Sequence, residues 1–239
     1  MIDLVPSTRE RIITAAIDLL TSGGRQAVST RAVSAAAGVQ PPAIYRQFGD
    51  MQGLLDAVAD RGFASYIESK TNRVRADDPV DDLRSAWDLH VSFGLANPEL
   101  YVLMYGDPRS ESSPSAASRA ADILDDLVER IARAGRLRTD VRRAAAMIGA
   151  SGVGVTLTLL ARPPEDQDLS VSELTREALL AALTVDAPGG TAAFDSPGRR
   201  VAAHSVALRS VLPEATGVLT PGERTLLAEL LDRLIRTGS

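Results

Sequence analysis

Residues 29–50 restrict the fold more than any other part of the chain. Ser29 or Thr30 can cap a short helix, because a hydroxyl there accepts from the first free backbone N–H groups. Ala32, Val33, Ala35 and Ala36 keep that helix slim, so a neighbour can lie close. Gly38 stops it, since glycine tolerates the left-handed turn that ends a helix tightly. Val39 then points inward. Pro41 and Pro42 suit the first turn of a second helix, where no N–H is required, and that helix runs to about Gln47. Two short helices joined by a tight glycine turn form a helix-turn-helix, whose second helix enters the DNA major groove.

The flanks fit the same unit. Ser7 and Glu10 are spaced as a capping box, and Ile13, Ile17 and Leu20 follow at helical spacing. Gly23 and Gly24 end this first helix. After Phe48 and Gly49, Asp50 can cap a fourth helix carrying Leu54, Leu55 and Val58. Ile44 and Phe48, four apart on one face, read as core.

This order resembles the DNA-binding domain of the tetracycline-repressor (TetR) family of bacterial transcription regulators. The first helix matches at Ile12, Ala15, Ala16, Leu19, Leu20 and Gly24. Val28, Ser29, Thr30, Arg31, Val33, Ala36, Gly38 and Val39 follow, then Ile44, Tyr45, Phe48, Leu54 and Leu55. The match covers roughly the first quarter of the chain; the remainder is similar in helical architecture. Two positions depart from the family pattern. Met51 stands where a basic residue usually meets a phosphate, with Gly53 beyond it, and Arg46 stands where histidine often follows the tyrosine. An arginine binds phosphate well, so Arg46 can replace the lost contact.

The resemblance implies an all-α protein: a helix-turn-helix head over residues 1–50 and a helical effector-binding and dimerisation domain over 51–239. The body is legible as helices. One runs from Met51 to about residue 75, with Gly62 as a candidate bend. Asp78 with Pro79, and Asn97 with Pro98, start two more. Residues 106–115 form a polar loop. Further helices start near Pro114, near Thr139 and at Ser170, where Ser170 and Glu173 are spaced as a second capping box. Residues 187–198 are a connection. Additional C-terminal helices lie within 199–236, the last opened by Thr220, Pro221 and Glu223. No segment has the alternation of a strand.

The resemblance assigns three sets of residues. Thr30, Arg31, Gln40, Pro41, Pro42, Ala43, Tyr45 and Arg46 face a near-palindromic double-stranded DNA operator. Tyr45 and Arg46 meet phosphates there, with a half-buried core position the alternative for Tyr45, and Gln40 and Ala43 read bases. Trp87, His90, Phe93, Tyr101, Met104 and Tyr105 enclose a small lipophilic effector; as residues alone they also suit an ordinary core. Ile148, Gly149, Gly152, Val155, Leu174, Ala178 and Ala181 form a homodimer face, where small side chains let helices approach. Packing inside one subunit is the alternative.

Composition excludes other functions. The chain has 239 residues and no cysteine, which removes disulfides, zinc–cysteine sites and thiol nucleophiles. The sequence offers no metal-ligand cluster and no phosphate-cradling glycine loop. Gly149 and Ser151 lack the final glycine of a nucleophile elbow, so neither an enzyme nor a cofactor is expected. The first residues lack a signal peptide's basic start, and residues 147–161 are short for a bilayer span, so a cytoplasmic protein without membrane contact is expected. Residues 1–50 hold five arginines against four acids (+1), leaving −6 for the remainder of a chain of net charge −5. The sign suits a DNA-facing head. The expected function is a dimeric repressor released from its operator by an effector. A transcriptional activator of the same fold, or a helical adaptor that has lost specific DNA binding, are the alternatives.

Overall fold

The computed structural model describes residues 6–72, 74–106, 114–185, 197–215 and 217–237. They form eleven α-helices: α1 (Thr8–Ala27), α2 (Thr30–Ala37), α3 (Pro41–Phe48), α4 (Met51–Thr71), α5 (Pro79–Ala96), α6 (Pro98–Tyr105), α7 (Pro114–Arg133), α8 (Val141–Leu160), α9 (Ser170–Leu183), α10 (Pro197–Val211) and α11 (Pro221–Thr237). No strand forms among the described residues; Leu137 and Thr184 make one isolated bridge. Most of the expected loop at 106–115 and of the connection at 187–198 lies outside the described residues. The chain divides into two compact units. One comprises residues 1–73, 89–120 and 156–167; the other comprises 74–88, 121–155 and 168–239.

In the first unit, local signals set the ends of the helices. The Ser7 hydroxyl accepts from Glu10 N–H while the Glu10 carboxylate accepts from Ser7 N–H, completing the capping box. The helical path of α1 breaks at Gly24, whose φ is +66°. Ser29, rather than Thr30, caps α2, accepting from Ala32 N–H at 3.3 Å. Gly38 closes α2 with φ +64° and ψ 41°, the left-handed turn expected of it. Asp50 caps α4 through Gly53 N–H at 2.8 Å. Ile12, Ala16, Leu20, Val33, Ile44, Leu54, Leu55 and Val58 form the buried core of these helices, with Leu100 and Leu103 of α6 packed against it.

Helix α4 runs unbroken through Gly62, which marks a crossing rather than a bend. A Cβ there would sit 2.9 Å from both Leu100 Cδ1 and Met104 Sδ, so α6 needs the missing side chain. Gly94 is tighter. Its Cβ would lie 2.3 Å from Thr156 Cγ2 and 2.9 Å from Tyr101 Cδ2.

In the second unit, charged groups fasten the start of α5. Asp78 caps it, accepting from Val80 N–H at 2.7 Å, and also takes a bond from Arg136 at 2.6 Å. The Asp82 carboxylate is fully buried against the Arg130 guanidinium and accepts from Ala76 N–H. Removing the Arg130 charge would take the cationic partner from a fully buried carboxylate, which makes the pair costly to break. Arg84 grips Glu177 of α9 with two nitrogens, at 3.0 and 2.9 Å, and Arg176 meets both Glu177 and Asp88. The capping box expected at Ser170 and Glu173 does not form. The Ser170 hydroxyl instead donates to Asp168 Oδ1 at 2.6 Å, because Asp168 sits upstream and draws it away from the helix. The start of α8 likewise belongs to Asp140, which accepts from Arg143 N–H at 2.9 Å.

Helix α8 begins at Val141, earlier than the apolar stretch 147–161. It is, among the described residues, the one helix long and apolar enough to cross a membrane by length and composition. Ala144, Ala145, Ile148 and Val155 are nevertheless buried.

The Gly94 contacts set an expectation for stability. Gly94→Ala should destabilise the protein by roughly 1–3 kcal/mol through overpacking, despite alanine's better helix propensity. Denaturant unfolding with an unchanged slope and a lower midpoint would show it.

Candidate functional site

The helix-turn-helix is held from α1 by two arginines. Arg11 Nη2 donates to the carbonyls of Ala37 at 2.6 Å and Gly38 at 3.1 Å, placing a cation at the C-terminus of α2. Arg9 donates to Gln47 O at 2.9 Å, and its guanidinium lies 4.4 Å above the Phe48 ring. Both fasten the turn and the far end of α3. Gly53 completes the joint to α4, since a Cβ there would meet Phe48 O at 2.1 Å. Met51 packs against the core instead of facing solvent alone.

With Ile44 fully buried, α3 must turn Pro41, Pro42, Tyr45 and Arg46 outward, at the spacing of one helical face. Tyr45 is 49% exposed. Its hydroxyl lies 3.4 Å from Thr30 Oγ1, joining the two helices at the surface. Arg31 and Gln40 are exposed as well, while Thr30 and Ala43 are half-buried. Among the described residues, neither Arg31 nor Arg46 has an intramolecular hydrogen bond or ion pair, so both guanidinium groups are available. Arg9 and Arg11 carried no sequence signal beyond charge, because their carbonyl partners are created by the fold.

The aromatic cluster expected of α5 and α6 gathers in the first unit, with one exception and one addition. His90 stands between two phenols, Tyr66 Oη at 2.7 Å from Nδ1 and Tyr101 Oη at 2.7 Å from Nε2. Tyr105 and Phe93 complete the group. Tyr101 and Tyr105 ring centroids are 4.7 Å apart, and Tyr66 and Phe93 centroids 5.0 Å apart. Met104 is buried beside them. Tyr66 was absent from the expected set, although its place three residues after Phe63 puts it on the same stripe of α4. Trp87 falls in the other unit, where its indole N–H donates to Ser172 Oγ at 2.9 Å.

Burial, with the nearby Lys70 charge, lowers the His90 imidazole to about 4, so the ring is neutral near pH 7. A neutral ring donates at one nitrogen and accepts at the other. One tyrosine therefore donates its O–H to the ring and the other accepts the ring N–H. Burial also raises the Tyr66, Tyr101 and Tyr105 phenols well above their ordinary range, keeping them protonated.

The residues expected at a homodimer face divide by exposure. Ile148, Gly152 and Val155 are buried within the chain, and Gly149 is half-buried, with Leu124 at 3.4 Å from where its Cβ would be. Leu174, at 70% exposure, Ala178 and Ala181 line the outer face of α9 with Val171. On α8 the exposed side carries Met147, Ala150 and Gly154.

A glycine-turned helix pair with an exposed second helix, among described residues that are otherwise helical, is a helix-turn-helix by architecture. Comparison with known proteins makes the assignment specific. Residues 12–58 match the family model for bacterial regulatory proteins of the tetR family, and residues 83–212 match the tetracyclin repressor-like C-terminal domain. The chain belongs to the TetR family, whose members are transcription regulators rather than enzymes. It is 42% identical over 79 residues to the class A tetracycline repressor of transposon 1721 from Escherichia coli, covering 33% of this chain and 34% of that protein. The chain thus spans about a third of the length of the curated relatives it matches. A Rhodococcus protein of unknown function shares the fold at TM-score 0.66 and 24% identity, over 77% of this chain and 98% of that one. A TetR-family transcriptional regulator from Pectobacterium atrosepticum does so at TM-score 0.64 and 22% identity, over 76% and 96%.

The neutral His90 gives a pH signature. Between about 4 and its unfolded value of about 6.5 the unfolded chain binds a proton that the folded one refuses. Stability should therefore fall as pH drops through that window and level off above it, by on the order of 3 kcal/mol in all. His90→Gln should flatten this part of the profile, as read from unfolding midpoints of the two proteins between pH 4 and 8.

Proposed function

We propose that this protein is a cytoplasmic, homodimeric repressor that binds a near-palindromic DNA operator through α3 and leaves it when a small molecule binds. The observation that carries the reading is the exposed face of α3, where Tyr45 and the unpaired Arg46 stand beside Arg31 and Thr30. Guanidinium and phenol groups on such a face suit phosphate oxygens, and Gln40 and Ala43 at its start suit base edges. The head ends near residue 50, and the body beyond it carries the effector and dimer functions.

The half-buried His90, Phe93 and Tyr105, with Tyr101 and Met104 behind them, supply the effector site. Trp87 belongs to the same expected effector set, although its indole bonds to Ser172 in the other unit. A ligand shifts the DNA-binding equilibrium only by its differential affinity for the two states. The dimer face combines Leu174, Ala178 and Ala181 of α9 with the exposed small residues of α8. Val171 and Leu174 stand exposed together on the outer face of α9, and two-fold dimers are the commonest assembly. Ile148, Gly149, Gly152 and Val155 back this face from inside. We read α8 as a core helix of the fold, not a membrane span.

Selection of bound sequences from random DNA should return a near-palindrome. On that operator Arg46→Ala should weaken binding and flatten its salt dependence, because fewer counterions are released. Tyr45→Phe should weaken all sequences alike by roughly 0.5–1.5 kcal/mol. Unchanged affinity and salt slope in Arg46→Ala, with the fold intact, would overturn the placement of α3 on DNA.

Assembly is tested separately. Leu174→Glu should shift the protein towards monomer in analytical ultracentrifugation, by burying a charge in each half of a symmetric contact. A wild type that sediments as a monomer at micromolar concentration would refute the dimer.

A further inference from the structure

Helices α7, α8, α10 and α11 border an open surface cavity of about 680 Å³, wholly within the second unit. Its size falls in the range of small-molecule sites, roughly 300–1,000 Å³. One wall is α11, which lies beyond residue 212, where the match to the family's C-terminal domain ends. The cavity is therefore built partly from a helix outside that match.

Its lining is charged in a particular way. Arg143 is held by Asp140 at 3.5 Å, and Arg209 donates to Asp232 at 3.2 Å. Glu129 is drawn to Arg133 at 3.4 Å. Asp125 of α7, Arg142 of α8 and Arg236 of α11 are left, and among the described residues none of the three has an intramolecular ion pair or hydrogen bond. Val206 and Ile235, with Val141, give the cavity an apolar part. The carboxylates do not make a metal site, since no cluster of three or more possible ligands occurs among the described residues.

All three are exposed to solvent, and a ligand that pairs with them carries an anion for two guanidinium forks and a cation for one carboxylate. We propose that the cavity binds an amino-carboxylate zwitterion with an apolar body, a free amino acid or a short peptide. Its carboxylate lies on Arg142 and Arg236, which suit a planar anion; its ammonium lies on Asp125; its side chain rests on Val206 and Ile235. The site is separate from the aromatic cluster around His90, and the inference does not depend on the DNA-binding reading.

Isothermal titration of the full chain with leucine, Leu-Leu, acetyl-Leu-Leu and Leu-Leu amide tests it. Leucine or Leu-Leu should bind, and the tighter of the two tells amino acid from peptide. If Leu-Leu binds, capping either end should weaken it by up to about fivefold, the usual reach of one exposed ion pair. Asp125→Asn should bring Leu-Leu to the level of acetyl-Leu-Leu and leave acetyl-Leu-Leu itself unchanged. Arg142→Gln with Arg236→Gln should bring Leu-Leu to the level of the amide. If leucine alone binds, its N-acetyl and amide forms take the same places. Each variant is first shown to keep the wild-type unfolding midpoint, and single substitutions replace the double one if it does not. No heat from leucine or Leu-Leu at millimolar concentration would overturn the proposal. So would an acetylated form that binds as tightly as the free one, or binding indifferent to all three substitutions.

Discussion

The left-handed turn at Gly38 is the constraint on which the head depends. The turn leaves the last carbonyls of α2 without helical partners, and Arg11 answers them from α1 with a charged donor. A helix end, a positive φ and a distant guanidinium thus fix the angle at which α3 leaves the turn. Once that angle is set and Ile44 is buried, the face with Tyr45 and Arg46 has no direction but outward. Arg9, reaching Gln47 and covering Phe48, holds the other end of α3 in the same way. The two arginines that shape the surface are distinct from the two, Arg31 and Arg46, that remain unpaired on it.

Within the first unit, His90, Tyr66 and Tyr101 bring polar groups into an apolar cluster and pair them with one another. His90 is the hub, because a neutral imidazole offers one donor and one acceptor to the two phenols that flank it. Such a buried network is costly when incomplete and specific when complete. His90, Phe93 and Tyr105 of the surrounding cluster are only half-buried. The second unit relies instead on ion pairs between helices, with Asp82 the deepest and the Arg84, Glu177 and Arg176 group joining α5 to α9. Helix α5 contributes to both units, so one continuous helix carries the two kinds of fastening.

The sequence by itself determined the helical class, the glycine turn, the proline starts and the caps at Ser7, Asp50, Asp78 and Thr220. Each depends on residues within a few positions of one another, and local backbone chemistry is legible locally. The inward turn of Ile44 followed from helical period, whereas the outward turn of Tyr45 came from the family resemblance. The tertiary structure decided what depends on contacts between distant segments. It gave the Ser170 hydroxyl to Asp168 and left the second capping box unmade. It separated Trp87 from the tyrosines and supplied Tyr66 to His90. It turned Ile148, Gly152 and Val155 inward while leaving Leu174, Ala178 and Ala181 exposed. Small or apolar residues on a helix fit a core and an interface equally well, and only the position of the neighbouring helices chooses between them.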